Sequence, residues 1–415
     1  MIDIPKLIAN ICNHPIDRAT IPQDHLDLVK VKRRSIFPWR GQFSPELIEL
    51  LLTHYIPNEK AVVLDPFVGS GTVLFEAGRK LLECYGVEIN PAAVEIARMS
   101  HFINVKIEER KQYIKKAESI IIKHMPSLDW FLSPKYRSPP FSKSLEEIFT
   151  QMLDEVDDDF VRNIIVCTFM RYMISKRCGV QALWLAFKKQ VEVIRELPYS
   201  PYPCKVVCCD ARTLPFDKES IDLVITSPPY INVFNYHQNC RRLMELLGWN
   251  MLYVARSEVG SNRKNRGNRF LTVIQYAIDM LQALCEMNRV TRRDGRIIII
   301  IGRESHVRGI SFENYKILSA LAVGGAGLKL ICRQERRYVN RFGKIIFEDI
   351  LHFSPWKWIK PRNELAREVA RYFLEKALTK ASGEVYTDIE EALKRIKYVE
   401  PSPIFDVKKA YRRYK

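Results

Sequence analysis

Between residues 61 and 100 the hydrophobic period changes from strand-like to helical and back. The apolar run Ala61 to Asp65 meets a glycine-bearing turn and the helical stretch Thr72 to Leu82. A second strand-like run, Glu83 to Ile89, then leads into another helical pattern. This alternation specifies a βαβα unit, and such units demand a parallel sheet. Asn90-Pro91 suits the start of the second helix, because asparagine caps free amides and proline at the first helical position forfeits no bond. The aliphatic runs Lys205 to Cys209, Ile221 to Thr226 and Arg296 to Ile301 are bounded by turn or charged residues and read as buried parallel strands. Near the end, Leu328 to Val339 and Lys344 to Phe353 flank the turn-like Asn340-Arg341-Phe342-Gly343, predicting an antiparallel hairpin. The expected fold is α/β and Rossmann-like: a mostly parallel sheet with an antiparallel C-terminal hairpin and a helical insertion.

The insertion spans 101–204, too long for a loop and rich in helical patterns such as Phe160 to Ile174. Residues 1–100 and 205–358 are therefore expected to form one discontinuous domain, with 101–204 a helical subdomain and 359–415 a basic helical C-terminal segment. Lysine and arginine outnumber aspartate and glutamate by 65 to 48, a formal charge of +17 that attracts polyanions. No basic region followed by an apolar core opens the chain, and no apolar run approaches bilayer length. An intracellular, cytoplasmic protein without a membrane partner is expected. The ten cysteines are scattered, as suits reduced thiols. Cys204, Cys208 and Cys209 lack a second ligand pair, so no metal is expected.

Asp65-Pro66-Phe67-Val68-Gly69-Ser70-Gly71-Thr72 lies between a strand and a helix. There, glycines let a ligand approach the backbone and a helix N-terminus presents free amides. Taken alone, such a turn equally serves to pack a helix on a sheet. The next strand ends at Glu88, placed to accept from ribose hydroxyls; a third acid, Asp210, follows the next strand run and is placed to accept from an adenine amino group. Three successive strands ending in acids mark the carboxyl edge of the sheet, where ligands bind. After the fourth strand stands Ser227-Pro228-Pro229-Tyr230. Two prolines remove two amide donors, leaving carbonyls free to point into a cleft. Ser227 and the Pro228 carbonyl, accepting the hydrogens of an exocyclic amine, would localise its lone pair toward a methyl donor. Pro229 stiffens the loop, and Tyr230 would stack on the base, which must be extruded from the duplex to reach such a site.

These residues resemble the DNA amino-methyltransferases that produce N4-methylcytosine or N6-methyladenine, over residues 37–100 and 205–354. The resemblance implies a class I methyltransferase fold and S-adenosylmethionine as cofactor. Asp65 to Thr72 is similar to the family's methionine-binding motif, with Pro66, Phe67, Gly69, Ser70 and Gly71 among its contacts. Glu88 with Ile89 resembles the ribose site, Asp210 with Ala211 the adenine site, and Ser227 to Tyr230 the catalytic motif. Upstream, Phe43 and Ser44 resemble an additional cofactor motif; Ser44 and Pro45 also read as an ordinary helix start. The serine form of the catalytic motif is typical of cytosine-N4 enzymes, whereas the order of the motifs departs from the arrangement commonest among them.

The expected substrate is double-stranded DNA. A cognate restriction endonuclease in the host is the further candidate partner, within a restriction-modification or related system. The basic loop carrying Arg256, Arg263, Lys264, Arg266 and Arg269 is the candidate phosphate contact. Arg241 and Arg242 suit phosphate or water equally. The insertion, with Trp130, Lys135, Tyr136 and Arg137, is the candidate sequence reader. Three alternatives stand beside this one: N6-adenine methylation, guanine-N2 methylation of RNA, and an inactive nucleic-acid-binding homologue.

Overall fold

The computed structural model describes residues 2–28, 35–39, 41–125, 144–175, 177–231, 238, 240–260, 267–339 and 343–412. Its centre is a seven-stranded sheet. In chain order, β1 is Val62–Asp65, β2 Glu83–Val87, β3 Cys204–Val207, β4 Ile221–Thr226 and β5 Thr291–Gly302. A small hairpin, β6 (Glu304–Val307) and β7 (Ile310–Glu313), precedes β8 (Leu328–Val339) and β9 (Ile345–Pro355). The spatial order is β3-β2-β1-β4-β5-β9-β8; the first five strands run parallel, and β9 is antiparallel to both β5 and β8. This is a Rossmann-like, mostly parallel sheet with a reversed hairpin at one edge.

Strand alternation sorts the core into two layers. Val63, Leu223, Ile225, Ile298 and Ile300 point to one face. Leu64, Val224, Ile297, Ile299 and Ile301 point to the other. Helices 72–79 and 91–97 cover the first face, and the helices of the insertion, 107–123, 145–154, 159–175 and 180–196, join the same apolar cluster. Helices 4–12, 271–290, 314–324, 363–378 and 383–395 cover the second. Ala92 N donates to the Asn90 side chain at 3.0 Å, and Pro91 opens helix 91–97.

β5 begins five residues earlier than the aliphatic run suggests, at Thr291, because its charged start pairs with β4 across a register shift between Ile221 and Leu223. β6 and β7 were not expected. Their turn is Arg308-Gly309, both at positive φ, a two-residue hairpin turn without the asparagine or aspartate that usually marks it. Among the described residues, no helix is long and apolar enough to cross a membrane, and no cluster of three metal-ligating side chains occurs.

Candidate functional site

A cavity of about 290 Å³ opens at the carboxyl ends of the parallel strands, where open α/β sheets bind ligands. Its floor is the turn after β1: Pro66, Phe67, Gly69, Ser70 and Thr72 all line it. Gly71 lies just behind. With φ at +89°, it starts helix 72–79 in the left-handed region, which a side chain disfavours. Asp65 lies beneath the cavity rather than in it and is only 1% exposed. Its Oδ1 accepts the Phe67 amide at 3.1 Å and the Thr226 hydroxyl at 2.6 Å. One carboxylate thus ties the glycine turn to the residue preceding the Ser227–Tyr230 loop. Burial pushes its pKa up to about 7, against the pull of those two hydrogen bonds.

Glu88 and Ile89 line the side wall. Glu88 Oε1 accepts the amides of Ile89 and Asn90, both at 2.9 Å, and Oε2 accepts that of Gly69 at 3.1 Å. Oε1 is therefore fully used, while Oε2 keeps a lone pair for a ligand hydroxyl. Burial raises this carboxyl to about 7 as well, the three amides opposing it. Beside it Asn90 lines the cavity, and its Nδ2 is buried with no hydrogen-bond partner among the described residues. An orphaned buried donor is costly, and a nucleoside oxygen or ring nitrogen would satisfy it.

The geometry corrects the expectation for Asp210. Asp210 and Ala211 do line the cavity, but the Asp210 carboxylate is already saturated. Oδ1 accepts the Arg212 amide and Nε, both at 2.9 Å; Oδ2 accepts the Arg212 guanidinium at 2.7 Å and the Phe405 amide at 2.9 Å. No lone pair is left for an adenine amino group. Arg212 reaches further, donating to Asp279 at 3.0 Å, the Ser402 carbonyl at 2.8 Å and the Pro403 carbonyl at 2.9 Å. It is a buried clasp joining the end of β3, helix 271–290 and the C-terminal segment.

The upstream motif divides. Phe43 lines the cavity, but Ser44 does not. Ser44 occupies the N-cap of helix 45–55, and its hydroxyl donates to Glu46 at 2.7 Å instead of capping. Trp39 and Gln42 line the cavity without having been expected to. The Ser70 hydroxyl donates to Gln42 at 3.1 Å, and Gln42 donates to the Phe37 carbonyl at 2.9 Å, which ties this segment to the glycine turn. The glutamine was visible in the sequence, but nothing local marks an amide that bonds a turn 28 residues away.

Ser227, Pro228, Pro229 and Tyr230 line the same cavity. A Cβ on Gly302, at the end of β5, would sit 3.1 Å from the Tyr230 ring, so that ring needs the missing side chain beside it. We expect Gly302→Val to displace Tyr230 and cut turnover at least tenfold while leaving cofactor affinity within twofold, as read by steady-state kinetics and calorimetry. Unchanged turnover would show that the ring position does not matter.

Of the basic loop, Arg269 is exposed and lines the cavity, whereas Arg256 is exposed on helix 251–257 away from it. Arg263, Lys264 and Arg266 lie outside the described residues, as do Trp130, Lys135, Tyr136 and Arg137. Arg241 pairs with Glu245 at 2.7 Å, and Arg242 pairs with Glu146 of the insertion.

Residues 25–99 match a DNA methylase family model of the N6/N4 type. Type II methyltransferase M.MjaII of Methanocaldococcus jannaschii is 24% identical over 180 residues, which is 40% of this chain and 30% of that protein. Type II methyltransferase M.AvaI of Nostoc sp. is 21% identical over 262 residues, 51% of this chain and 53% of that protein. The chain thus spans about half, or less, of the curated relatives it matches. Among solved structures, a SAM-dependent methyltransferase of Methanosarcina mazei aligns at a TM-score of 0.33 and 12% identity, over 74% of this chain and 97% of that one. A protein of Pyrococcus horikoshii aligns at 0.32 and 12%, over 74% and 87%. The family match covers the glycine turn and the Glu88 strand, so this part of the chain is similar to the DNA amino-methyltransferases, as are the two type II relatives.

Proposed function

We propose that this chain methylates the exocyclic N4 of cytosine in double-stranded DNA, in a flipped-out nucleotide, as part of a restriction-modification or related system inside the cell. The observation that carries the reading is that Ser227 to Tyr230 share one cavity with the glycine turn and Glu88. Glu88 Oε2 and the Asn90 amide hold the nucleoside end of S-adenosylmethionine, while the Phe43 and Ser70 side of the cavity holds its methionine end. When bound, the cofactor supplies an electrophilic methyl group.

The protein supplies the rest. Ser227 and the Pro228 carbonyl accept the amine hydrogens, which withdraws the nitrogen lone pair from ring conjugation and localises it toward the methyl. Tyr230 stacks on the base and offsets part of the few kcal/mol that extrusion costs. The serine form of the catalytic loop favours cytosine N4 over adenine N6. Arg269 at the cavity wall, with Arg263, Lys264 and Arg266, contacts phosphate, and Arg256 does so from the adjoining helix. The insertion 101–204 reads sequence, and exchanging it with a relative's insertion moves the specificity.

The deciding experiment incubates the protein with S-adenosylmethionine and, separately, mixed-sequence duplex DNA and total RNA, followed by nucleoside mass spectrometry. N4-methylcytosine in the DNA is the expected product. N6-methyladenine would change the base, and methylation of RNA alone would overturn the substrate class. Because base stacking is worth about 1–3 kcal/mol, Tyr230→Ala should lower turnover by roughly 5- to 150-fold while cofactor affinity holds. Wild-type turnover in that variant would remove the stacking role.

Glu88 also predicts a pH dependence. Its acceptor role needs the carboxylate, so cofactor affinity should fall as pH drops below about 7. Stability should run the other way. Asp65 and Glu88 both have folded pKa values raised toward 7, so the folded state holds extra protons between about 4 and 7 and loses stability as pH rises through that window. Calorimetric titrations and melting curves from pH 5 to 8 would test both trends. Affinity that is flat across pH 7 would remove Glu88 from the ribose site.

A further inference from the structure

We propose that the overhanging tip of the β8–β9 hairpin is a contact for duplex DNA beside the catalytic loop. The inference rests on the DNA methyltransferase reading above and adds a surface that it does not use.

β5 ends at Gly302, which pairs with Glu348 of β9 and abuts the Tyr230 ring. β8 and β9 continue past that point, pairing Arg337 with Phe347, Tyr338 with Ile346 and Val339 with Ile345. The Arg303 amide still donates to the Phe347 carbonyl at 3.0 Å, so two residues at strand rise carry the ribbon roughly 7 Å beyond the sheet, on the side where the cavity opens. Among the described residues, the outer edge of β8 is occupied up to the start of this overhang. There, the Gln23 side chain donates to the Glu335 carbonyl at 2.8 Å, and the Arg337 amide donates to Asp27 at 2.8 Å.

The two faces of the overhang differ. One buries Arg336, which pairs with Glu348 at 3.3 Å and lies 4.8 Å from the Tyr338 ring. The other carries Val339, Ile345 and Phe347, 65%, 51% and 44% exposed, as direct cross-strand neighbours of one another and of Arg337. Three exposed apolar side chains on a projecting ribbon invite association unless a partner covers them. The charge indicates the partner. Among the described residues of the tip, 336–339 and 343–347, Arg337 and Lys344 are the exposed cations and there is no acid, Arg336 being buried against Glu348. The Arg337 side chain is 68% exposed even with Asp27 at 3.5 Å. A two-stranded antiparallel ribbon fits the major groove, and apolar side chains with flanking cations suit a base edge and its phosphates. The ribbon stands where the duplex flanking an extruded base must pass.

The test uses two variants of the full chain, Arg337→Ala/Lys344→Ala and Val339→Ser/Ile345→Ser/Phe347→Ser. Affinity for a mixed-sequence 30-base-pair duplex is measured at several salt concentrations, with cofactor affinity and solution mass alongside. The charge variant should bind DNA about tenfold more weakly, with a salt slope lower by about 1 to 2. The apolar variant should raise the KM for DNA at least fivefold. Cofactor affinity should not move in either, which excludes general damage. Methylation of DNA by the wild type with both variants unchanged in DNA binding would overturn the hairpin contact alone. A change confined to solution mass would make the tip a contact between copies of the chain, and would also overturn it. A wild type that methylates only RNA would remove the underlying reading and the hairpin contact together.

Discussion

Gly71→Asp is expected to abolish cofactor binding while the protein stays folded. Two effects oppose each other. Aspartate is among the best residues at a helix N-cap, which is the position Gly71 occupies, but over glycine it gains only a few tenths of a kcal/mol there. Against this, φ is +89°, where an L side chain costs roughly 1–2 kcal/mol. A Cβ there would also lie 3.0 Å from Ala97 Cα and 3.2 Å from both Ala97 Cβ and the Phe75 ring. Ala97 belongs to a buried helix and cannot yield, so the turn itself must shift. The turn positions the Gly69 amide on Glu88 and the Ser70 hydroxyl on Gln42, so its displacement dismantles both walls of the cavity at once. Calorimetry with S-adenosylhomocysteine should show at least a 100-fold loss of affinity, with a melting temperature lowered only by several degrees. Retained affinity would mean that the turn does not form the cofactor floor.

Much of this was legible because the determinants are local. The strands of the parallel sheet are unbroken aliphatic runs, and the site sits where those runs end, so the glycine turn, Glu88 and Ser227 to Tyr230 could be placed in one cleft from their spacing alone. The hairpin β8–β9 was equally plain, since two long strand-like runs flank a single turn. What the sequence hid depends on partners far along the chain. The acid at 210 follows a strand as an adenine-binding acid should, but its four acceptor positions are filled by Arg212 and by the Phe405 amide, 195 residues later. Asp65 looked like a cofactor residue because it opens the motif, yet its partner is Thr226, 161 residues away. Gly302 carried no mark of its own, since its role is to leave room for a ring from another strand. The insertion read as helical from its period, but no pattern within it tells that its apolar faces join the cluster over the sheet.

The Arg212 clasp ties the C-terminal segment to the cavity, and its removal should be strongly destabilising. The guanidinium side chain is 0% exposed and lies between Asp210 and Asp279, 3% and 0% exposed. Burial lowers its pKa, but Asp210 and Asp279 outweigh that and hold it above the ordinary arginine value. Burial raises the Asp279 carboxyl in turn, with Arg212 opposing. Arg212→Met fills the volume but leaves two buried carboxylates facing each other, and it strips donors from the Ser402 and Pro403 carbonyls. Breaking a buried ion pair from one side costs about 3–5 kcal/mol. The loss should spread along the segment that Arg212 anchors. There the Asn250 amide donates to the Ala410 carbonyl at 2.7 Å and the Trp249 ring lies 4.7 Å from Tyr411, so the helices that follow the catalytic loop are held by the same strap. The expected result is a melting temperature lowered by roughly 3–6 °C, with early proteolytic cleavage between 399 and 412. Cofactor affinity should fall too, because Ser257 to Gly260 lose their support as a cavity wall. Arg212→Lys keeps the charge without the fork, so it should recover part of the stability and little of the affinity. A methionine variant as stable and as protease-resistant as the wild type would show that the strap is held without Arg212.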